Sequence, residues 1–378
     1  MKKTTIFSGK TVCHVHIGAG DEHKLGPLGY VIRETGGKPW FYRIDVGAMM
    51  SNNAAFAGEF IRLTENANSI GGLRKLLIEA FDPADTATWS HRASVSPRVW
   101  KTYSEKVQAR ALGNQLLVQC LPFSGGRVYI PGSSVKGAIR TAVLDGMAEA
   151  KGYAVTLEKA KSAARNPHEL AQTVEQELLG YRKINEDPFK ALRIEDTFLP
   201  PDSTEIVEVM NVPKASRKAI SLDMFIEAVK PGTVFEVHLA TEDRIGMEGV
   251  DISRLGLTVA GIIDTASAYY THAIAAEADD HYPADSPADR KIQDALAEVL
   301  DEESRPIPGK MLLRIGRFSH LESITYNDRG KGGLCQPKVK TGRNGKTRTF
   351  GATRNLVDGR LPLGVVSLKL LSEKVVDE

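Results

Sequence analysis

Residues 128–140 read Val-Tyr-Ile-Pro-Gly-Ser-Ser-Val-Lys-Gly-Ala-Ile-Arg and leave the backbone little choice. Val128 to Ile130 make a short apolar strand. Pro131 has no N–H with which to continue it, and Gly132 frees the turn. From there Val135, Ile139, Ala142, Val143, Met147 and Ala150 recur at helical spacing, so a helix with that stripe buried is expected to about Ala150. A strand that passes through a tight turn into a helix points to a fold of mixed helix and sheet. Ser133 or Ser134 is expected to cap the helix by accepting from an N–H two or three residues on. The remaining N–H groups and the positive dipole end suit an anion. Lys136 and Arg140, four apart, share a face opposite the apolar stripe, and Gly137 is expected where a side chain would crowd, letting a backbone approach. Together these residues suit a phosphate-sized cradle; an ordinary capped helix with two solvated bases uses them equally well. The pattern is neither GxxxxGK[ST] nor GxGxxG.

Elsewhere two periods alternate. Residues 11–17 place Cys13, Val15 and Ile17 on one side and Val12, His14 and His16 on the other, a half-buried strand ending at Gly18-Ala19-Gly20. Leu28–Ile32 and Trp40–Val46 flank Gly36-Gly37 as a hairpin. Helical patterns follow near 53–63 and 69–80, a strand at 115–121, and a polar helix within 156–180. Strands are expected near 205–212 and 233–240, a buried helix at 257–276 and a polar helix at 290–303. The 378 residues suffice for one large domain with insertions or two packed lobes, and 42% hydrophobic with 25% charged content argues against global disorder. No run approaches the roughly 20 apolar residues of a membrane span. The start, MKKTTIFSGK, has two lysines without an apolar run behind them, so no signal peptide is expected. Cys13, Cys120 and Cys335 lack zinc spacing and read as free thiols in a reducing cytoplasm.

The net charge of +2 hides a division. Acidic residues crowd 277–303, whereas 310–360 carries Lys310, Arg314, Arg317, Arg343, Lys346, Arg348 and Arg354 among other bases. The Gly/Lys/Arg stretch 329–354 suits an arm that folds onto RNA or a solvated loop, with Tyr326 and Phe350 available for stacking. His14 and His16 suit RNA contacts from an open sheet face, or a pair of surface or capped histidines. No third ligand stands near them at metal spacing.

The stretch Ile130 to Ala142 resembles the signature of the RAMP superfamily, the repeat-associated proteins of type III CRISPR systems. Four further stretches are similar to one branch of it: His14–Gly20, Asp187-Pro188-Phe189 with Leu192–Asp196, Pro231–Phe235 and Pro362–Val366. The resemblance implies a single RRM-like, ferredoxin-like α+β unit. Its core would come mainly from 1–50, 112–150 and 200–245, with helical insertions at 51–110, 151–190 and 250–303 and a basic, glycine-rich region at 310–378. Motif order and chain length are most similar to the terminal backbone subunit near the crRNA 3′ end in the Csm complex of type III-A systems. That implies a non-catalytic subunit that binds crRNA, caps the filament and supports crRNA maturation, without cofactor or metal. Its partners would be crRNA, neighbouring Csm backbone subunits, small helical subunits and host ribonucleases. The candidate RNA-binding residues are Ser133, Ser134, Lys136, Gly137, Arg140, His16, Gly18, Gly20, Arg314, Arg317, Arg343 and Lys346. After Arg314–Ser319 comes a long basic insertion where the family pattern has a more compact glycine loop.

Two other readings are open. In the superfamily's repeating backbone subunits an acidic loop residue cuts target RNA, and Asp21, with Glu22 and His23, stands where such a loop would be. A solvated acidic turn has the same composition. Ser133 and Lys136 form S-x-x-K, and Lys340-Thr341-Gly342 forms K-T-G, elements of serine acyl-transfer enzymes of penicillin-binding type. Against that reading stand the missing S-D-N element, the weak strand character around K-T-G and the lack of an export signal.

Overall fold

The computed structural model describes residues 2–20, 23–65, 70–107, 116–153, 167–242, 257–320, 323, 339–341, 347–349 and 352–376. β1 (Lys2–Thr11) lies between β13 (Val234–Glu242) and β18 (Val365–Val376), antiparallel to both. β9 (Leu192–Ile194) pairs with the far side of β13, and β14 (Lys310–Arg314) with the far side of β18. The five strands form one sheet in the order β14-β18-β1-β13-β9. All neighbours are antiparallel, so β1 and β9 run the same way with β13 between them. β13 and β18 likewise flank β1. Strands that run the same way need a crossover. Helix α5 (Gly132–Ala150) lies in the first connection and α7 (Val259–His281) in the second. Two interlocked split βαβ units make the ferredoxin-like arrangement, here with β14 as an extra edge strand.

Strand and helix periods meet in the main core. Thr5, Phe7, Gly9 and Thr11 of β1 are buried at every second position. Val135, Ile139, Ala142 and Val143 of α5 and Ile262, Ala266, Tyr270 and Ile274 of α7 join Phe7, Val237, Leu239, Leu312 and Val366 of the sheet. Each large apolar side chain so buried contributes about 1.5–3 kcal/mol. Where the helices touch, Tyr270 Oη donates to the Ala138 carbonyl at 3.0 Å, so the phenol is satisfied without water. α8 (Pro287–Ala297) is capped by Ser286, which accepts from Asp289 N at 3.1 Å, and adds Ile292 to the same core.

An eight-stranded sheet stands beside this unit. Its path runs from β2 (Lys24–Leu25) through β6 (Val118–Gln119), β12 (Ile220–Val229), β11 (Thr204–Pro213), β5 (Trp89–Val95) and β4 (Lys38–Ile44) to β3 (Tyr30–Thr35), while β17 (Thr353–Val357) also pairs with β11. Val99 and Tyr103 of α4 (Pro97–Val107) pack on Tyr30, Phe41 and Phe225. A second cluster packs Val31 and Tyr42 against α1 (Val46–Asn52), α2 (Ala54–Thr64) and α3 (Ile70–Ala80) through Met49, Phe56 and Leu77. β7 (Phe123–Ser124), β8 (Arg127–Ile130) and β10 (Thr197–Phe198) form a small sheet that leads into α5. α6 (Pro167–Leu179) and the pair β15 (Val339–Thr341) and β16 (Thr347–Thr349) complete the described elements. The stretches 1–50, 112–150 and 200–245 thus supply strands to more than one sheet, and the five-stranded sheet also draws β14 and β18 from 310–378. The architecture is α+β with insertions.

The strand expected over 11–17 is displaced. β1 ends at Thr11, and residues 12–17 run on as an extended seam bonded singly to both sheets. Val12 N donates to Val365 O at 3.0 Å; Val15 and Val229 exchange bonds of 3.1 and 2.8 Å; Gly364 N donates to His14 O at 2.7 Å. Arg317 N donates to His16 O at 3.0 Å, and here Gly316 is required: its φ is +94° and a Cβ would stand 2.2 Å from that oxygen. His14 and His16 do not stand on an open sheet face, because the seam is covered on both sides; they are 6% and 1% exposed. His14 Nε2 lies 3.1 Å from Glu205 Oε2. His16 Nδ1 donates to the Glu227 carbonyl at 2.8 Å. Burial pushes the His16 ring down to about 4, so it is neutral near pH 7.

A buried ion cluster also ties the sheets together. Glu277 of α7 bonds Arg314 of β14 and lies 3.2 Å from Arg354 of β17. Arg314 Nε also donates to Leu363 O at 3.1 Å. Removing one partner from such a cluster costs about 3–5 kcal/mol, because the other charges are left without water.

Two expectations test this fold. A Cβ at Gly132 would meet the Ile194 carbonyl oxygen at 2.1 Å, whereas one at Gly137 meets nothing within 4 Å. Gly132→Ala is therefore expected to destabilise by about 1–3 kcal/mol through overpacking, and Gly137→Ala to stabilise by up to about 1 kcal/mol through helix propensity, both read by denaturant melts. The second concerns pH. As pH falls below the ordinary histidine value of roughly 6.5, the unfolded chain takes a proton that folded His16 refuses until about 4. Stability is expected to fall across that window by up to about 1.4 kcal/mol per pH unit from this ring. His320, also held low by burial, adds to the slope. His16→Asn should flatten the profile measured by melts at stepped pH.

Candidate nucleic-acid interface

The start of α5, the loop after the seam and the turn after β14 enclose a groove of about 640 Å³. Ser133, Ser134, Gly137, Ala138 and Thr141 line it from the helix, Ile17, Gly18 and Gly20 from the loop, and Arg314, Ile315, Gly316, Arg317 and Ser319 from the turn. Seven of the residues singled out in the sequence therefore line one groove: Ser133, Ser134, Gly137, Gly18, Gly20, Arg317 and, as its buried floor, Arg314. Gly137 does not relieve crowding inside the protein. Its missing side chain leaves open space in the groove wall. Arg317 is exposed, with Nη1 donating to Gln119 Oε1 and the guanidinium 5.9 Å from the Phe318 ring centre. Its other N–H groups give the groove directional, permanently charged donors.

The cradle differs from its expected form in three ways. The helix is not capped by Ser133 or Ser134. Its N-cap is Pro131, and the Gly132 N–H is taken at 2.8 Å by Asp196 Oδ1 from a distant loop. The positive end of the helix thus already faces a carboxylate. Arg140 is engaged inside the protein: its guanidinium bonds Glu175 at 2.6 Å and Asp187 at 2.8 Å and lies over the Phe189 ring. Burial alone would weaken this cation, but the two carboxylates outweigh it and its pKa is raised. Lys136 lies near Asp187, Arg140 and Arg193; burial, with the two arginines, lowers its pKa despite the carboxylate. Arg314 reaches the groove lining only as a buried floor, since its side chain is 0% exposed and paired with Glu277. The basic stretch 310–360 is therefore not one solvent-facing surface; Arg314 and Arg354 point inward.

A second, smaller chamber of about 140 Å³ adjoins the groove and shares Gly18, Gly20 and Arg317 with it. His16, His23, Lys24, Gln119 and Cys120 complete its lining with Ala19. Cys13 and Cys120 are buried free thiols. Thr141, Gly316 and Ser319 belong to the groove and escaped the sequence reading. Thr141 was within reach, being one turn beyond Gly137 on the same helix face. Asp21, Glu22, Arg343, Lys346, Tyr326, Phe350, Cys335 and Gly342 of the K-T-G element lie outside the described residues. Among the described residues, no group of three or more His, Cys, Asp or Glu is arranged to hold a metal ion, and no helix is long and apolar enough to cross a membrane.

No curated protein matches the chain. Among solved structures, a chain of the "Cryo-EM structure of Csm-crRNA-target RNA ternary complex in type III-A CRISPR-Cas system" is similar over 97% of this chain and 100% of its own, with a TM-score of 0.63 and 18% identity. The "Crystal structure of T.onnurineus Csm5" is similar over 95% of this chain and 99% of its own, with a TM-score of 0.64 and 18% identity. At that identity the likeness is one of fold. The sequence itself matches the RAMP superfamily over residues 9–356, from the end of β1 through the α5 segment to β17. With that match running through strands of both sheets and most of the groove lining, the chain belongs to the RAMP superfamily.

Proposed function

We propose that this protein is a crRNA-binding structural subunit of a type III-A Csm ribonucleoprotein, seated near the crRNA 3′ end, where it caps the backbone filament and supports crRNA maturation. The observation that carries the reading is the groove at the start of α5. Gly18, Gly20 and Gly137 let a sugar–phosphate chain lie close, Ser133 and Ser134 offer small hydroxyls, and Arg317 offers charged donors. Such contacts hold a strand in position without reading its bases, which suits a subunit that must accept any guide. The fold shared with the Csm5 structure over nearly the whole chain supports the same reading. On this reading the subunit is a scaffold and not a nuclease. Its neighbours are Csm backbone and small helical subunits in the cytoplasm, and host ribonucleases finish the RNA end.

The decisive experiment is to purify the protein from its own cell with whatever it carries. The expected result is small CRISPR-derived RNA together with Csm subunits; a preparation free of both would remove the reading. At the level of residues, Arg317→Ala is expected to weaken single-stranded RNA binding by about 1.5–3 kcal/mol, as a hydrogen bond to a charged group requires, and to reduce the slope of log K against log salt by about 0.7. Arg140→Ala is expected to lower the melting temperature by stranding Glu175 and Asp187 while leaving RNA affinity of the folded protein unchanged. Filter binding at several salt concentrations beside thermal melts separates the two.

A further inference from the structure

His16 has one ring nitrogen satisfied and one not. Nδ1 donates to the Glu227 carbonyl, which can only accept, so the proton sits on Nδ1 and Nε2 carries a lone pair. The ring is 1% exposed, yet Nε2 has no hydrogen-bond partner. A buried acceptor left in that state costs about 1–3 kcal/mol. His16 lines the 140 Å³ chamber, which shares Gly18, Gly20 and Arg317 with the main groove. A ligand suited to this lining brings a hydrogen-bond donor for Nε2 and an anionic acceptor for the Arg317 guanidinium.

We propose that this chamber receives one ribose of the bound strand, with its 2′-hydroxyl donating to His16 Nε2 and the adjoining phosphate meeting Arg317. The site thereby distinguishes RNA from DNA. This assignment rests on the reading of the groove as a guide-RNA site and names the chemical group recognised there. A ribose 2′-hydroxyl supplies the donor, and deoxyribose has none. The low pKa of the ring agrees, because protonation at neutral pH would turn the acceptor into a second donor. The neighbouring Gln119 Oε1 is already occupied by Arg317, and the chamber's unpartnered ring nitrogens are His16 Nε2 and His23 Nδ1; of the two rings, His16 is the one whose proton is placed, by its bond to Glu227.

The test compares three single-stranded oligonucleotides of one sequence: RNA, DNA and an RNA with 2′-fluoro at every pyrimidine and purine. Fluorine keeps the ribose pucker but cannot donate. The full-length protein is expected to bind RNA roughly five- to tenfold more tightly than either analogue, the size of one hydrogen bond to a buried acceptor. His16→Asn keeps a donor for the Glu227 carbonyl and removes the acceptor at the Nε2 position, its own amide oxygen lying closer to the backbone. It is expected to lower RNA affinity to the level of the analogues while leaving DNA affinity where it was. Should the variant fail to fold, a scan of single 2′-fluoro substitutions against the unaltered protein gives the same answer, one position carrying the loss. Tight RNA binding with no sensitivity to 2′-fluoro at any position overturns the ribose assignment, a water then satisfying Nε2. Failure to bind any of the three oligonucleotides overturns the groove reading instead.

Discussion

Residues 12–17 join the two sheets, chiefly through their backbone bonds. The segment leaves the centre of one sheet and gives its N–H and carbonyl groups to Val365, Val229 and Gly364 in turn. A peptide group in that position has no water to fall back on, so each of these bonds must be made or the two sheets part. The groove depends on the same seam. Its loop wall begins where the seam ends, and its turn wall is docked by the bond from Arg317 N to the His16 carbonyl. Gly316 is fixed by the closeness of that approach, which places Arg317 beside Gly18 with no freedom to drift.

Much of this was legible along the chain. The strand–turn–helix at 128–150, the hairpin around Gly36-Gly37, the helices near 53–63 and 69–80 and the long buried helix after 257 all appear where periodicity placed them. β5 and β12 were missed because His91, Arg92, Asp223 and Glu227 dilute their alternation with polar groups. Two of these are consumed in the fold, since His91 Nε2 lies 2.6 Å from Glu227 Oε1 in the interior. The errors at the site share one cause. A residue's capacity to bond is written locally, but its partner is not. Ser133 could have capped α5, yet Asp196 does so from 64 residues away from Gly132. Arg140 could have faced a phosphate, yet Glu175 and Asp187 lie 35 and 47 residues further on. Arg314 counted as part of a basic surface until Glu277, 37 residues before it, proved to be its counter-ion.

The groove is therefore less electropositive than its sequence advertised. Among the described residues that line it, one exposed guanidinium stands beside a set of small residues, so on the proposed reading complementarity of shape carries more of the interaction than net charge. That balance is compatible with a chain of near-neutral charge, and it places discrimination in the position of individual donors and acceptors.

The pairing of β1 with β18 has a consequence for how the molecule comes into being. Lys2 lies opposite Val376, so the central ladder joins the two extremes of the sequence. Closing so long a loop is entropically slow, and no local contact substitutes for it. During synthesis β1 must wait, one edge bare, until residues 365–376 have left the ribosome. An unpaired strand edge is prone to capture by other chains, so the interval before β18 pairs is when β1 is most open to misassembly.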